Sequence, residues 1–101
     1  MFDALQHAEA FCVNVLASAQ EAISRRFAAE DSMHRFDGVG YVRGENGVVL
    51  LDDALAHIEC RMYGRHDAGD HILVVGEVER ATARDARPLL YYRGGYAQLE
   101  R

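Results

Sequence analysis

The chain has 101 residues, which is the size of one domain, and its 11 basic and 16 acidic residues give a net charge of −5. It contains no lysine, and its arginines are scattered among carboxylates, so the clustered positive charge of a nucleic-acid-binding protein is absent. Without lysine, Schiff-base chemistry, pyridoxal-phosphate attachment and a lysine-bearing phosphate loop are excluded. The few serines lie outside any G-x-S-x-G motif, which argues against a serine hydrolase.

The composition and the two cysteines indicate a globular protein of the cytoplasm. Half of the residues are hydrophobic and 27% are charged, which is typical of a folded domain. Asp3 and Glu9 interrupt the beginning and the first arginine is Arg25, so no signal peptide is predicted. No apolar run approaches the roughly 18 residues of a membrane span. Cys12 and Cys60 lie in apolar segments, which favours reduced thiols over a disulfide.

The first part of the chain predicts a helix followed by a strand. Phe2, Leu5 and Ala8 recur at helical spacing, which predicts a short helix that ends before Phe11. The period then changes, and residues 11–16 form a β-branched and aromatic run typical of a buried strand.

A second helix is predicted over about residues 19–29. Ser18 and Glu21 have the spacing of a capping box, in which hydroxyl and carboxylate satisfy backbone N–H groups of the first turn. Ala22, Ile23 and Phe27 form its apolar stripe.

The second half of the chain is predicted to consist of strands separated by turns. Asn46 and Gly47 predict a tight turn. The predicted strands are Tyr41–Val42, Val48–Leu51, Leu55–Tyr63, His71–Val78 and Leu89–Tyr92, the last closed by Gly94 and Gly95. The fold class is therefore mainly β with α (α+β), in one domain over residues 1–101. Several buried strands lack a partner, which predicts that a second subunit or further sequence supplies their pairing.

The stretch Gly64–His71 carries the strongest local signal for ligand binding. It is polar and turn-forming, and it leads into a buried strand. Gly69 would let a ligand approach the backbone, Asp70 could orient an imidazole, and His71 would project from the first residue of a rigid strand. A polar hairpin loop without a ligand is the alternative.

Other candidate motifs are weaker. His57 and Cys60 would point to opposite faces of a strand, and no zinc-binding template is present, so no metal site is predicted. The glycines at 38, 40 and 44 miss the dinucleotide-binding spacing and are interpreted as loop residues. Three tyrosines surround Arg93, namely Tyr91, Tyr92 and Tyr96. They either stack on a flat ligand or pack in the core or an interface.

Three stretches together resemble the flavin reductases of the FMN-binding split-barrel family, the reductase components of two-component monooxygenases. The first runs from Phe2 through residues 11–16 to Gln20, Ser24 and Phe27. The second is Gly69-Asp70-His71 leading to Gly76-Glu77-Val78, and the third is Arg87-Pro88-Leu89-Leu90-Tyr91-Tyr92-Arg93-Gly94-Gly95-Tyr96. The similarity covers nearly the whole chain in the family's order.

The resemblance implies a partial split β-barrel with two flanking helices. Family members begin with further strands that hold the flavin phosphate, and this sequence starts after them, so an N-terminally incomplete domain is expected. The implied reaction is hydride transfer from NADH or NADPH to FMN or FAD, with reduced flavin passed to a partner monooxygenase. A homodimer is also implied. The alternatives are a non-catalytic flavin-binding module and an inactive remnant.

The resemblance also implies which residues bind the cofactors. The turn of Gly69, Asp70 and His71 would line the nicotinamide nucleotide site, with His71 holding the nucleotide. Asn14 is a weaker expected flavin contact, and Arg93 and Tyr96 are weaker still. No acid or base is expected, because the two cofactors carry the chemistry and the protein supplies their geometry.

Overall fold

A computed structural model describes residues 8–29 and 38–98 of the chain. Its elements are β1 (Ala10–Val15), a 3₁₀ turn (Ser18–Gln20), α1 (Glu21–Ala29), β2 (Tyr41–Arg43), β3 (Val49–Leu51), β4 (Ala56–Ala68), β5 (His71–Ala83), β6 (Leu89–Tyr92) and β7 (Gly95–Gln98). The predicted fold class, mainly β with α, is confirmed. The helix predicted around Phe2 and Leu5 lies outside the described residues, and Ala8 at its end is not helical.

Four antiparallel pairings join the strands into three sheets. β1, β4 and β5 form one sheet in the order β1-β4-β5, and β2–β3 and β6–β7 are separate hairpins. In the larger sheet Ala10 lies opposite Arg61 and Val15 opposite Ala56. No closed barrel is present among residues 8–29 and 38–98, which agrees with a partial split barrel.

Two bulges bend the long β4–β5 hairpin. The register passes from Arg80 to Val78 without a partner for Glu79, and from Met62 to Gly64 without a partner for Tyr63. An extra residue in one strand bends it and increases its twist. Next to the second bulge, a Cβ on Gly76 would lie 2.8 Å from Cβ of Cys60 and would overlap the Phe11 ring. Glycine at this position therefore lets β5 pass close over the core.

Gln20 joins the start of the helix to the loop after β3. Its Oε1 accepts a hydrogen bond from the Ala17 N–H (2.9 Å), and its Nε2 donates to the Asp52 carbonyl (2.8 Å). The predicted capping box of Ser18 and Glu21 is therefore wrong, because the helical segment begins one residue earlier and Gln20 makes the reach-back bond. Glu21 instead pairs with Arg25 at 2.8 Å.

The structure corrects the sequence prediction at the β4–β5 hairpin and at the C-terminal end. Residues 64–68 are part of β4 and only Gly69 and Asp70 form the turn, because these polar residues pair with residues 71–75 of β5. Gly94 and Gly95 do not close the last strand. Arg93 and Gly94 have positive φ values of 52° and 79° and form the turn into β7, which the sequence analysis missed.

Candidate functional site

The turn between β4 and β5 presents the predicted nicotinamide-site residues at the tip of a hairpin. Ala68 pairs with His71, so Gly69 and Asp70 are the two central turn residues, and Gly69 has a φ of 67°. Glycine at the first central position is typical of a type II′ turn, whose twist matches that of the strands. The sequence therefore fixes His71 as the first residue of β5, as predicted.

Asp70 and His71 form an exposed pair. Asp70 Oδ1 lies 3.5 Å from His71 Nε2, and the side chains are 90% and 79% exposed, respectively. A carboxylate beside one ring nitrogen can orient the ring. The second nitrogen, Nδ1, is then the atom that His71 can offer to a ligand, and the exposed tip leaves room for one.

Asn14 is part-buried and is held by the backbone of β3. Its Nδ2 donates to the Val49 carbonyl (3.0 Å) and its Oδ1 accepts from the Leu51 N–H (2.8 Å). The amide thus joins β1 to β3 much as a backbone peptide would.

An apolar groove of about 540 Å³ lies beside Asn14. It is lined mainly by Phe11, Val13, Leu16, Phe27, Leu51 and Val74. Cavities of this size and character are typical of small-molecule sites. A flat aromatic ring could be bound here by burial of its faces.

Tyr96 is held against Ser24 and Arg25 of α1, and Ser24 is one of the residues that line this groove. Its hydroxyl lies 2.8 Å from Ser24 Oγ, and the Arg25 guanidinium lies 4.6 Å from its ring centroid. Tyr91 contacts it edge-on at a centroid distance of 5.2 Å. Ser24 lines the groove, so its hydroxyl is a polar group in a mostly apolar wall.

The structure does not join the predicted site residues into one cluster. Asn14 lies opposite His57, and β4 continues from there to Ala68, about 35 Å along the strand at 3.3 Å per residue. In the described part of the chain, no hydrogen bond, ion pair or ring contact links the hairpin tip to Asn14, Arg93 or Tyr96. Arg93 stacks on Tyr92 at 5.2 Å in the β6–β7 turn.

The two cysteines are free thiols with little nucleophilic character. Burial raises the pKa of both Cys12 and Cys60 above the ordinary value. A raised pKa keeps a thiol protonated at neutral pH, and the thiolate is the reactive form. Within residues 8–29 and 38–98, no three His, Cys, Asp or Glu side chains come together as a metal site.

Comparison with known proteins identifies the family. Residues 1–100 match the family model described as a flavin reductase like domain. The chain belongs to the flavin reductase-like family. The resemblance seen in the sequence is thereby confirmed.

Relatives with reductase names resemble nearly all of this flavin reductase-like chain. It is 39% identical over 98 residues to the reductase subunit HsaB of a flavin-dependent monooxygenase from Rhodococcus jostii, covering 96% of this chain and 50% of that protein. It is 37% identical to the FMN reductase (NADH) SmoA from Agrobacterium fabrum, covering 97% and 55%. The chain spans about half the length of the curated relatives it matches.

A solved structure shares the fold. The NADH:FAD oxidoreductase SgcE6 of Streptomyces globisporus, in complex with NAD and FAD fragments, superposes with a TM-score of 0.89 at 33% identity. The superposition covers 97% of this chain and 60% of that one. None of the described helices has the length and apolar character needed to cross a membrane.

The contact between Ser24 and Tyr96 could not be predicted from the sequence. These residues are 72 positions apart, and neither period nor spacing can pair a helix residue with a strand so distant. The only signal was that both residues fall in stretches that resemble the family.

Proposed function

We propose that this protein is an NAD(P)H-dependent flavin reductase, which transfers hydride from a reduced nicotinamide to FMN or FAD and supplies reduced flavin to a partner monooxygenase. The observation that carries this proposal is the match of residues 1–100 to the family, together with relatives named as NADH-dependent reductases and a monooxygenase reductase subunit. The NAD and FAD fragments bound to SgcE6 support both substrate classes.

The hairpin tip is the proposed nicotinamide side of the reaction. His71 donates or accepts a hydrogen bond through Nδ1, Asp70 orients the ring through the 3.5 Å contact with Nε2, and Gly69 leaves the backbone accessible. Nicotinamide and flavin supply hydride chemistry when bound, so the protein's contribution is to place the donor carbon over the acceptor nitrogen.

The groove beside Asn14 is the proposed flavin side. Its apolar wall suits the faces of a flat ring, Asn14 and Ser24 are the polar residues in its lining, and Tyr96 contacts the Ser24 hydroxyl. Asn14 acts mainly by holding β1 against β3. Arg93, in the β6–β7 turn, is the more distant of the proposed flavin contacts. Within one chain these residues lie too far from the hairpin tip to share a site with it. Part of the site must therefore come from a second copy or from further polypeptide.

We propose a homodimer in the cytoplasm. β5 is an edge strand of its sheet, and Leu73, Val75 and Val78 on it are exposed. Exposed apolar side chains on a long strand favour association with another chain. The free thiols fit a reducing compartment. Light scattering coupled to gel filtration tests the dimer, and a clean monomer contradicts it.

An aerobic assay tests the activity. NADH absorbance is followed with the chain, with and without FMN or FAD, alongside a flavin-fluorescence titration. Flavin-dependent NADH loss is the expected result. The groove also favours a second candidate, a non-catalytic flavin-binding module, and flavin binding without NADH oxidation would establish it. Binding of neither compound would identify an inactive remnant.

A further inference from the structure

The turn between β2 and β3 carries one of the two asparagines of the chain, and glycine follows it. The next backbone nitrogen can attack an asparagine side chain most easily when that next residue is glycine, because no side chain hinders the approach. Asn46 and Gly47 are both exposed to water. Asn14, in contrast, is followed by Val15 and bonds the backbone of β3 through both ends of its amide. The two asparagines therefore differ in their neighbour, their exposure and their bonding.

The backbone of the turn restrains the attacking nitrogen. The Gly47 N–H donates to the Gly44 carbonyl (3.0 Å), and the Gly44 N–H donates to the Val48 carbonyl (2.9 Å). Gly47 has a φ of 75°, the left-handed conformation that follows a type I turn in three-residue hairpin loops. A hydrogen that is bonded to a carbonyl is lost slowly, so attack on the Asn46 side chain requires the turn to open.

Side chains of the turn fasten it to β5. Glu45 Oε1 lies 2.9 Å from Arg80 Nη2, and both side chains are more than half exposed. Asn46 Nδ2 donates to Glu79 Oε1 at 2.7 Å. Exposed ion pairs stabilise only weakly, so the turn can open locally while the sheet stays folded.

Loss of the Asn46 amide would reverse the contact with Glu79. The amide nitrogen donates to the Glu79 carboxylate, whereas a carboxylate at residue 46 would offer only acceptors and a negative charge. Two carboxylates at this distance repel each other. Arg61 already pairs with Glu79 at 3.0 Å, and Glu59 is a further carboxylate, buried against Gly44 beneath the turn. The charge gained at residue 46 would therefore push the turn away from β5.

We propose that Asn46 is a site of spontaneous deamidation and that this reaction releases the β2–β3 turn from β5. The Gly47 nitrogen loses its proton and bonds to Cγ of Asn46, the bond from Cγ to Nδ2 breaks, and the amide leaves with the proton as ammonia. Water then adds to the cyclic imide and breaks one of its two C–N bonds, which gives aspartate or isoaspartate. Isoaspartate also lengthens the backbone of the turn by one carbon and so disturbs the pairing of Arg43 with Val49.

Mass spectrometry of the aged protein tests the reaction. The purified full chain is kept in mildly alkaline buffer, digested with trypsin and analysed by electron-transfer fragmentation, which distinguishes aspartate from isoaspartate. Both products are expected at residue 46, and Asn14 should stay intact as the internal control. An Asn46 that remains unconverted in the folded chain would overturn the proposal.

Three variants test whether the structure controls the rate. Arg80→Gln removes the partner of Glu45 and should speed the loss of the Asn46 amide about threefold, because the turn opens more often. Gly47→Ala places a methyl group beside the attacking nitrogen and should slow the reaction most, although the φ of 75° strains the alanine. Arg87→Gln removes an exposed arginine outside the turn and should leave the rate unchanged. Equal rates in all variants would contradict attack by the Gly47 nitrogen.

Hydrogen exchange tests the release of the turn. Asn46→Asp carries the charge of the product, and Asn46→Ser removes the amide without adding a charge. The Gly44 and Gly47 amide hydrogens should exchange about fivefold faster in Asn46→Asp than in Asn46→Ser, and high salt should reduce this difference by screening the repulsion. Thermal melting by circular dichroism confirms that both variants fold. Equal exchange in the two variants would overturn the proposed release.

The aged chain gives the same information without a substitution. After conversion of Asn46, its Gly44 and Gly47 amide hydrogens should exchange faster than those of the fresh chain, and unchanged exchange would again contradict the release. None of these measurements needs flavin or nicotinamide, so their outcome is independent of the proposed hydride transfer.

Discussion

The hairpin tip and the interior beside β3 use polar side chains in opposite ways. Asp70 and His71 are exposed and contact each other, whereas Asn14 is part-buried and spends both ends of its amide on the backbone of β3. Polar groups with unused hydrogen-bonding capacity are available to a ligand, whereas groups that are already hydrogen-bonded to the backbone stabilise the fold. Substitutions should therefore affect substrate affinity at the tip and stability in the interior.

The largest expected effect on stability is that of Asn14→Ala. This change leaves the Val49 carbonyl and the Leu51 N–H without their partner, and two part-buried groups of this kind cost about 3 kcal/mol of the free energy of unfolding. Urea denaturation measures the loss. Asn14→Asp retains the acceptor for Leu51 but turns a carboxylate oxygen toward the Val49 carbonyl, so at neutral pH a loss at least as large is expected. A stability equal to that of the unaltered chain would show that the amide bridge is unimportant.

His71→Ala should weaken NADH binding and leave stability almost unchanged, which is the reverse of the effect expected for Asn14→Ala. Loss of one hydrogen bond to a charged nucleotide removes about 2 kcal/mol of binding, which is a roughly thirtyfold rise in the KM for NADH. The free energy of unfolding should hardly change, because the side chain is 79% exposed. Flavin affinity should fall much less than NADH affinity.

His66→Ala is the matched control for that experiment. His66 is an exposed histidine of the same hairpin, and its removal should leave both constants unchanged. Equal losses of NADH and flavin affinity in His71→Ala would contradict the assignment of the tip to the nicotinamide nucleotide.

A smaller effect is expected where the β6–β7 hairpin contacts α1. Tyr96→Phe removes the hydroxyl that lies 2.8 Å from Ser24 Oγ and should cost about 1 kcal/mol of stability. In a double-mutant cycle with Ser24→Ala, the two losses should be less than additive, because each change removes the same hydrogen bond. Full additivity would mean that the hydroxyls act independently.

The smallest effect concerns Cys12. Burial raises its pKa, so the thiolate fraction at pH 8 is lower in the folded chain than in urea, and alkylation by iodoacetamide should be slower. The raised pKa also makes stability depend on pH. As the pH rises above about 8.5, the Cys12 thiol loses its proton in the unfolded chain before it does so in the folded chain. The contribution of Cys12 to the free energy of unfolding is therefore fully present below that pH and declines above it. Equal alkylation rates, measured by mass spectrometry, would contradict the shift.

The sequence predicted the elements whose signals are local. The run beginning at Phe11, the turn at Asn46 and Gly47, and the strand Leu89–Tyr92 all occur as expected, because β-branched runs and turn residues act over a few positions. The polar half of β4 was not predicted as a strand, because its strand conformation comes from pairing with β5. The strand β7 was not predicted, because the turn before it begins one residue before the glycine pair.

The candidate site was predictable only in part. Gly69 and His71 could be placed because a glycine turn at a strand entrance is a local feature. The two hydrogen bonds from the Asn14 amide to β3 and the hydrogen bond between Ser24 and Tyr96 join residues more than thirty positions apart. Such contacts depend on the folded arrangement, so the sequence could name Asn14 and Tyr96 but not their partners.

The most direct test of the central claim is an anaerobic reaction of NADH with FMN in the presence of the chain. Without oxygen, reduced flavin accumulates, so its visible absorbance should disappear in step with NADH, one flavin for each NADH. The rate should rise in proportion to the protein concentration. Flavin that binds the chain and keeps its colour while NADH persists would contradict hydride transfer by this protein.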